Sequence, residues 1–367
     1  MLGRECRAPF VMVDVDPVDG LQRRTTLMNT TTLARRTARC AIALGLGALL
    51  ASGALAEERD RPRGHFPLPE SGSVIGENYT VTVQEGDTLV DLARTHNVGY
   101  EEIRMANPDV SLWAPFVGTE VTIPNRHILP DAEREGIVIN LSEMRLYYYS
   151  APGVVESYPI SVGRDGFSTP VGVTRTTVKV KDPAWSPPRS MRAEAAARGE
   201  PAPSVVPPGP DNPLGRHAIL LGIPSYLIHG TNRPDGVGMR VSRGCIRMFP
   251  EDIESLYERV PSGTRVNIID QPFKAGWSDD GVLYAQSFPP LEENEASFEP
   301  LLNAMEVVSR AFGGEQPPVD YARLRTLVEQ PDGLIVSLLQ TAEEGETPAP
   351  TQEDDLLFGG ELELSGR

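Results

Sequence analysis

Short runs in which hydrophobic and polar residues alternate fill the middle of the chain, between residues 134 and 270. Alternation with a period of two is typical of strands that bury one face of a sheet. The stretch from Pro250 to Val260 differs, because its apolar side chains recur every three or four residues, as in an amphipathic helix. These patterns predict a mostly β domain over residues 134–270 with one or two helices. Its predicted strands are residues 137–141, 144–149, 158–163, 217–221, 226–228 and 265–269.

A smaller unit with its own pattern precedes this domain, at residues 78–125. Residues 79–83 alternate like a strand, and Thr88 can cap a helix that carries apolar residues on one face. A second short helix is predicted over residues 98–105, and a strand over residues 118–124 closes the unit. The sequence therefore predicts a small β-α-α-β module.

The start of the chain has the features of an exported protein. Three arginines precede an apolar run over residues 41–51, which is long enough for a signal peptide and short for a membrane span. We predict a leader over residues 1–56, with the true start at Met28 and cleavage after Ala56; an uncleaved membrane anchor is the alternative. Residues 57–77, rich in proline, glycine and charge, are predicted to be a linker.

Two further segments have irregular patterns. Residues 181–215 interrupt the β domain with many prolines and one alanine-rich piece, residues 191–198, that is predicted to be helical. Irregular excursions of this length inside a domain are usually functional, so we expect a lid or a substrate wall. The C-terminal extension, residues 271–367, shows helical spacing over residues 301–312 and 321–339, and its acidic end predicts a disordered tail.

Composition excludes one class of partner and points to a free thiol. The net charge of −17 argues against nucleic-acid binding, which needs a basic surface. Cys245 is the only cysteine after the predicted leader, and a lone cysteine in an exported chain cannot form a disulfide within that chain. No cluster of histidines and cysteines has the spacing of metal ligands, so neither a metal nor a cofactor is expected.

Candidate chemistry centres on Cys245 and on His229, which lies sixteen residues before it across a glycine-rich connection. A thiol is strongly nucleophilic only as the thiolate, which a nearby imidazole or cation favours. If the segment is extended, Arg243 and Arg247 lie on the same side as Cys245 and favour the thiolate. The alternative is a small buried cysteine that only packs in the core.

The segment 228–248 contains the motifs HGTN and S-x-G-C-I-R-M, and it resembles the L,D-transpeptidases with a YkuD-type catalytic domain. A glycine-rich run over residues 163–172 and PPGPDNPLG at 207–215 extend the resemblance. It implies a β-sandwich-like fold in which Cys245 is the nucleophile and His229 the proton acceptor and donor. In one departure, Arg243 stands where the family often has histidine. The supporting residues are Gly230, whose carbonyl orients the histidine, Ser242, Arg243, Arg247 and Gly244, whose amide and that of Cys245 are candidate oxyanion donors.

The β-α-α-β unit resembles a LysM module. The motifs that carry this resemblance are Glu85-Gly86-Asp87-Thr88-Leu89 and Ala106-Asn107-Pro108. This resemblance implies binding to glycans that contain N-acetylglucosamine, such as peptidoglycan. The alternative is that the module is a plain spacer, because a fold does not by itself fix a function.

Together these resemblances imply a periplasmic cysteine L,D-transpeptidase that acts on peptidoglycan stem peptides and binds glycan strands. The acyl acceptor stays open among another stem peptide, an outer-membrane lipoprotein and water. Carbapenem-type β-lactams are the expected inhibitors. The alternatives are a hydrolytic L,D-carboxypeptidase or lipoprotein-releasing amidase, and a non-catalytic wall-binding structural protein.

Overall fold

The computed structural model describes residues 62–313 and 318–339. The predicted leader, residues 1–56, and the predicted acidic tail lie outside the described residues. In the described part of the chain, no helix is both long enough and apolar enough to cross a membrane.

The described part of the predicted linker, residues 62–77, contributes two short strands, β1 (His65–Pro67) and β2 (Val74–Gly76). β1 pairs with residues 154–156 of the large sheet, and β2 pairs with residues 126–128. Phe66 and Ile75, the central residues of the two strands, are buried. The linker prediction is therefore wrong for these residues, because three-residue strands are too short to show alternation.

The module at residues 78–125 has the predicted β-α-α-β order: β3 (Tyr79–Thr82), α1 (Leu89–Thr95), α2 (Tyr100–Ala106) and β4 (Glu120–Ile123). β3 and β4 pair antiparallel. The Thr88 hydroxyl caps α1 by accepting the Asp91 amide at 3.0 Å. The second helix begins at Tyr100 rather than at Val98, because Gly99 has an extended backbone and forms the N-cap.

The catalytic region consists of a closed sheet with two helices. β5 (Arg126–Ile128) precedes it and pairs with β2 in a separate two-stranded sheet. In chain order the elements of the catalytic region are β6 (Gly136–Asn140), β7 (Arg145–Ala151), β8 (Val154–Gly163), β9 (Gly172–Lys181), α3 (Arg189–Ala197), β10 (His217–Leu221), β11 (Leu227–His229), β12 (Arg240–Ser242), β13 (Ile246–Met248), α4 (Pro250–Arg259) and β14 (Arg265–Ile269).

Hydrogen-bonded neighbours in the large sheet follow the order β8-β13-β11-β10-β9-β14-β6-β7, and β7 pairs back onto β8. The sheet therefore closes on itself around a core that α4 completes with Ile253 and Leu256. Pro250 occupies the first turn of α4, as the sequence predicts, since its missing amide needs no partner there. The mostly β fold class is confirmed.

The 181–215 excursion contains the predicted helix, α3, and a bridge that pairs Trp185 with Val206. Asn212 is fully buried, and its amide group donates to the carbonyls of Pro183, Val206 and Pro207. Side-chain bonds to the backbone thus order a segment that has little regular structure.

The C-terminal extension adds β15 (Phe273–Trp277), β16 (Leu283–Ser287), α5 (Pro300–Ala311), α6 (Tyr321–Glu329) and β17 (Val336–Ser337). The three strands form a separate sheet that packs with α5 and α6 around its own core. The helix expected at 301–312 is confirmed. The helix expected over 321–339 ends at Glu329 instead, before a Pro-Asp-Gly turn, and the sheet was not predicted.

Candidate active site

The two candidate reactive residues lie at the ends of adjoining parallel strands, since His229 ends β11 and Cys245 directly precedes β13. In the register of β11 and β13, His229 is the partner of Arg247, and Ile228 is the partner of Ile246. Both isoleucines are buried in the core. Because side chains alternate along a strand, His229 and Arg247 lie on the opposite face. The charge of Arg247 affects the pKa of the Cys245 thiol, so Cys245 lies near this face.

His229 is buried, and a main-chain carbonyl orients its ring. The Nδ1 atom donates to the Gly230 carbonyl at 2.5 Å, which assigns the proton to Nδ1 and makes Nε2 the basic nitrogen. Burial, and then the nearby Arg247 cation, lower the pKa of His229 to about 4, partly opposed by the carbonyls of Gly230 and Leu214. The imidazole is therefore neutral at pH 7.

Cys245 is partly exposed and is the only free cysteine in the residues that the structure describes. Its Sγ atom donates to the Ser225 carbonyl at 3.6 Å. Burial raises the pKa of the thiol, although a hydrogen bond from Leu227 and the charge of Arg247 act in the opposite direction. Arg247 therefore favours the thiolate, as the sequence predicts, while burial acts more strongly in the opposite direction.

The two arginines that flank the thiol differ in their surroundings. Arg247 lies close enough to lower the pKa of Cys245, and within the described residues its buried Nε has no hydrogen-bond partner. Arg243 instead donates to Glu194 of α3 at 2.5 Å, and its guanidinium lies 4.3 Å from the Phe167 ring centre.

Gly244 explains this difference. Its φ of +96° interrupts the extended backbone, so the alternation that would place Arg243 beside the thiol is lost. The expectation that both arginines act on Cys245 is therefore corrected to Arg247 alone. A side chain at position 244 would also meet Tyr226 Cε1 at 2.7 Å.

Two hydroxyl groups hold the turn before the nucleophile. Ser242 Oγ accepts the Gly244 amide at 3.1 Å and donates to the Cys245 carbonyl at 2.6 Å. Thr169 Oγ1 accepts the Gly163 amide at 3.1 Å and donates to the Gly244 carbonyl at 2.9 Å. The Gly244 amide is thus engaged, which leaves the Cys245 amide as the oxyanion donor candidate of the two.

The glycine-rich run over residues 163–172 favours a structural turn over a substrate contact as the role of Thr169. The hydrogen bonds of this buried hydroxyl assign it to the turn. The glycine-rich run that contains it was the available signal, but the run did not indicate which distant loop the hydroxyl would reach.

A cysteine and a neutral histidine on adjoining strands, with a cation beside the thiol, form an arrangement typical of cysteine-dependent enzymes. The model of the YkuD L,D-transpeptidase catalytic domain matches residues 134–268, and that of the LysM domain matches residues 81–124.

Full-length relatives are similar over most of the chain. The probable L,D-transpeptidase YbiS of Escherichia coli strain K12 is 43% identical over 282 residues, which are 74% of this chain and 91% of that protein. The probable L,D-transpeptidase ErfK/SrfK of the same strain is 42% identical over 281 residues, 74% and 90% of the two chains. The chain belongs to the L,D-transpeptidase family. It is an L,D-transpeptidase with a LysM domain.

Solved structures are more distant. The L,D-transpeptidase from Mycobacterium smegmatis is 18% identical, with a TM-score of 0.30 over 42% of this chain and 64% of that chain. The catalytic domain of the Enterococcus faecium L,D-transpeptidase is 21% identical, with a TM-score of 0.30 over 38% of this chain and 100% of that chain.

Proposed function

We propose that this protein is a periplasmic L,D-transpeptidase that acts on peptidoglycan stem peptides through an acyl-enzyme on Cys245. The observation that carries the proposal is that His229 ends β11 and Cys245 directly precedes the strand paired with it, β13, while the Gly230 carbonyl orients the imidazole. A fixed tautomer supports a base whose Nε2 is available to the thiol.

In the proposed reaction, Cys245 Sγ attacks the carbonyl carbon of the bond between an L centre and the terminal D-residue while His229 Nε2 takes the thiol proton. The Cys245 amide stabilises the oxyanion. Collapse of the tetrahedral intermediate breaks the C–N bond, and His229 returns the proton to the leaving amine. An acceptor amine then attacks the thioester, gives a proton to His229, and releases the thiol.

Arg247 is the proposed contact for a carboxylate of the stem peptide. Its Nε is buried without a partner among the described residues, and none of the groups there that affect its pKa is a carboxylate. A partly buried guanidinium with an unpaired Nε favours an anionic ligand, because the ligand supplies the hydrogen bond that this nitrogen lacks.

The LysM module is proposed to bind glycan strands. Trp113 and Phe116, in the segment between α2 and β4, are 59% and 86% exposed, and exposed aromatic side chains are suited to packing against sugar rings. In full-length protein, Trp113→Ala with Phe116→Ala should weaken pelleting with purified sacculi while Cys245 still accepts an acyl group. Unchanged pelleting would make the module a spacer.

Two fates of the acyl group remain in the proposal: transfer to another stem peptide as a 3-3 cross-link, and transfer to an outer-membrane lipoprotein. Incubating purified protein with disaccharide-tetrapeptide, with and without an acceptor amine, and analysing the muropeptides decides between transfer and hydrolysis. Cross-linked or amine-bearing products support the transpeptidase. Shortened stems alone would identify a carboxypeptidase.

The non-catalytic alternative is tested by covalent labelling. A carbapenem-type β-lactam should acylate Cys245 and add its mass to the protein, and Cys245→Ala should show no such mass. Export is tested separately, since the proposed signal peptide predicts a mature chain that begins at Glu57. A secreted chain that retains residues 41–51 would contradict cleavage.

A further inference from the structure

The LysM module contacts the polypeptide that joins the two reactive residues. Residues 233–239, called the connecting loop below, lie between His229 and Cys245 in the chain. The first two amides of α2 donate to this loop, with bonds of 2.9 Å to the Val237 carbonyl and 3.2 Å to the Gly238 carbonyl. Amides at the start of a helix have no partner within it, so the loop backbone satisfies these donors.

Main chain packs directly on main chain at this contact. A carbon built as a side chain on Gly99 of the module would lie 2.9 Å from the Gly238 Cα. One built on Gly238 would lie 2.3 Å from the Tyr100 nitrogen. Because neither position has room for a methyl group, even a small addition must separate the module from the loop.

A buried ion pair holds the start of α2 against the closed sheet. Arg145, at the start of β7, is fully buried and donates through Nε to Glu102 Oε1 at 2.8 Å. Its Nη2 donates to the Asn97 carbonyl at 2.9 Å. Glu102 Oε2 in turn accepts the Gly99 amide at 2.6 Å, so the pair fixes the residue that packs on the loop.

The other side of the connecting loop faces the reactive residues. Ser161 of β8 donates to the Gly236 carbonyl at 2.7 Å. A carbon built on Gly236 would lie 3.9 Å from Arg247 Nη1, which places the loop backbone against this guanidinium. Arg247 Nε has no hydrogen-bond partner among the described residues, so the nearby loop backbone can limit where this guanidinium lies.

We propose that the Glu102–Arg145 pair and the Gly99–Gly238 contact position the connecting loop, and through it the Arg247 guanidinium beside the Cys245 thiol. Glu102 and Gly99 are then positioning residues of the transfer reaction, located in the module outside the catalytic region. The LysM module is a part of the active-site framework as well as a glycan-binding unit. The expected change in acylation rests on the proposed function. The expected change in Cys245 alkylation rests on the geometry alone.

The test uses Glu102→Gln and Gly99→Ala in the full-length protein. Arg104→Ala is the matched control, because Arg104 lies on the same helix with an exposed side chain paired to Glu101. Alkylation of Cys245 by iodoacetamide is measured against pH, and acylation by a soluble stem peptide without glycan gives kcat/KM. The soluble donor excludes any effect of glycan binding from the measurement.

We expect both test variants to require a higher pH for alkylation, because the cation that favours the thiolate is displaced. We expect kcat/KM for acylation to fall about tenfold or more, as displacements near 1 Å at a reacting group produce. The Arg104→Ala variant should match the parent in both measurements. Circular dichroism and thermal melting establish that each variant is folded.

Folded Glu102→Gln and Gly99→Ala proteins with parental alkylation profiles and parental kcat/KM would overturn the inference. If Glu102→Gln does not fold, because Arg145 is left as an unpaired buried charge, Gly99→Ala decides alone. A parent protein that is alkylated but never acylated would contradict the proposed function. The alkylation profiles would still decide whether the module positions Arg247.

Discussion

Arg243 Nη2 lies 2.5 Å from Glu194 Oε2, so the residue two positions before the nucleophile is bonded to α3 of the 181–215 excursion. The same guanidinium covers the Phe167 ring. The bond from Arg243 is also the main cause that lowers the pKa of Glu194. The excursion is thereby attached to the turn that carries Cys245, which supports its predicted role as a wall or lid at this site.

Breaking this attachment should loosen α3 without changing the thiol. We expect Arg243→Ala and Glu194→Ala to give the same faster hydrogen exchange over residues 189–197, because each removes one partner of one bond. The double variant should exchange no faster than either single variant. Additive effects of the two substitutions would show that the residues act separately.

Arg247→Ala should raise the pKa of Cys245 further, because Arg247 is the cation that opposes the effect of burial on the thiol. Arg243→Ala is the matched control and should leave the pKa unchanged, since its guanidinium is bonded to Glu194. The measurement is the pH dependence of Cys245 alkylation. Equal pKa shifts in the two variants would contradict the conclusion that Arg247 alone lowers the pKa of Cys245.

The low pKa of His229 predicts an acid limit of activity near pH 4 rather than near 6.5. It also predicts lower stability in acid, because the unfolded chain binds the proton near pH 6.5 and the folded chain only near pH 4. The free energy of unfolding should fall between these values by about 3 kcal/mol. Urea unfolding at pH 7 and pH 4.5 should show this loss in the parent and less of it in His229→Gln.

Lys274 of β15 is buried and donates to Glu143 Oε1 at 2.6 Å and to the Ile128 carbonyl. Lys274→Met should leave the buried Glu143 carboxylate without its cation and destabilise the protein by about 3–5 kcal/mol. The exposed Lys181 supplies the control, since Lys181→Met should change the stability by no more than about 0.5 kcal/mol. Chemical denaturation measures both values, and equal stabilities would show that the ion pair contributes little.

Local patterns predicted the elements whose causes are local. The proline at the first turn of α4, the Thr88 cap of α1 and the period-two runs of the closed sheet were all visible in the sequence. The sequence motifs around His229 and Cys245 identified the candidate reactive residues from sequence alone.

What sequence reasoning missed depends on pairing between distant segments. β1 and β2 are defined by pairing with residues 154–156 and 126–128, which three-residue segments do not indicate by themselves. The direction of Arg243 depends on the positive φ of Gly244 and on the acceptor that α3 supplies. A glycine in the sequence permits a positive φ but does not show that the backbone adopts it. The acceptor Glu194 lies 49 residues from Arg243 in the chain.

The Lys274–Glu143 ion pair has a consequence for the order in which the parts of the chain fold. Glu143 and its cation are separated by 131 residues, and the matched catalytic region ends at residue 268, before Lys274. Because synthesis runs from the N-terminus, all residues of the closed sheet are made before Lys274, the cation that pairs with the buried Glu143 carboxylate. We therefore expect the closed sheet to reach its full stability only after the extension has folded onto it.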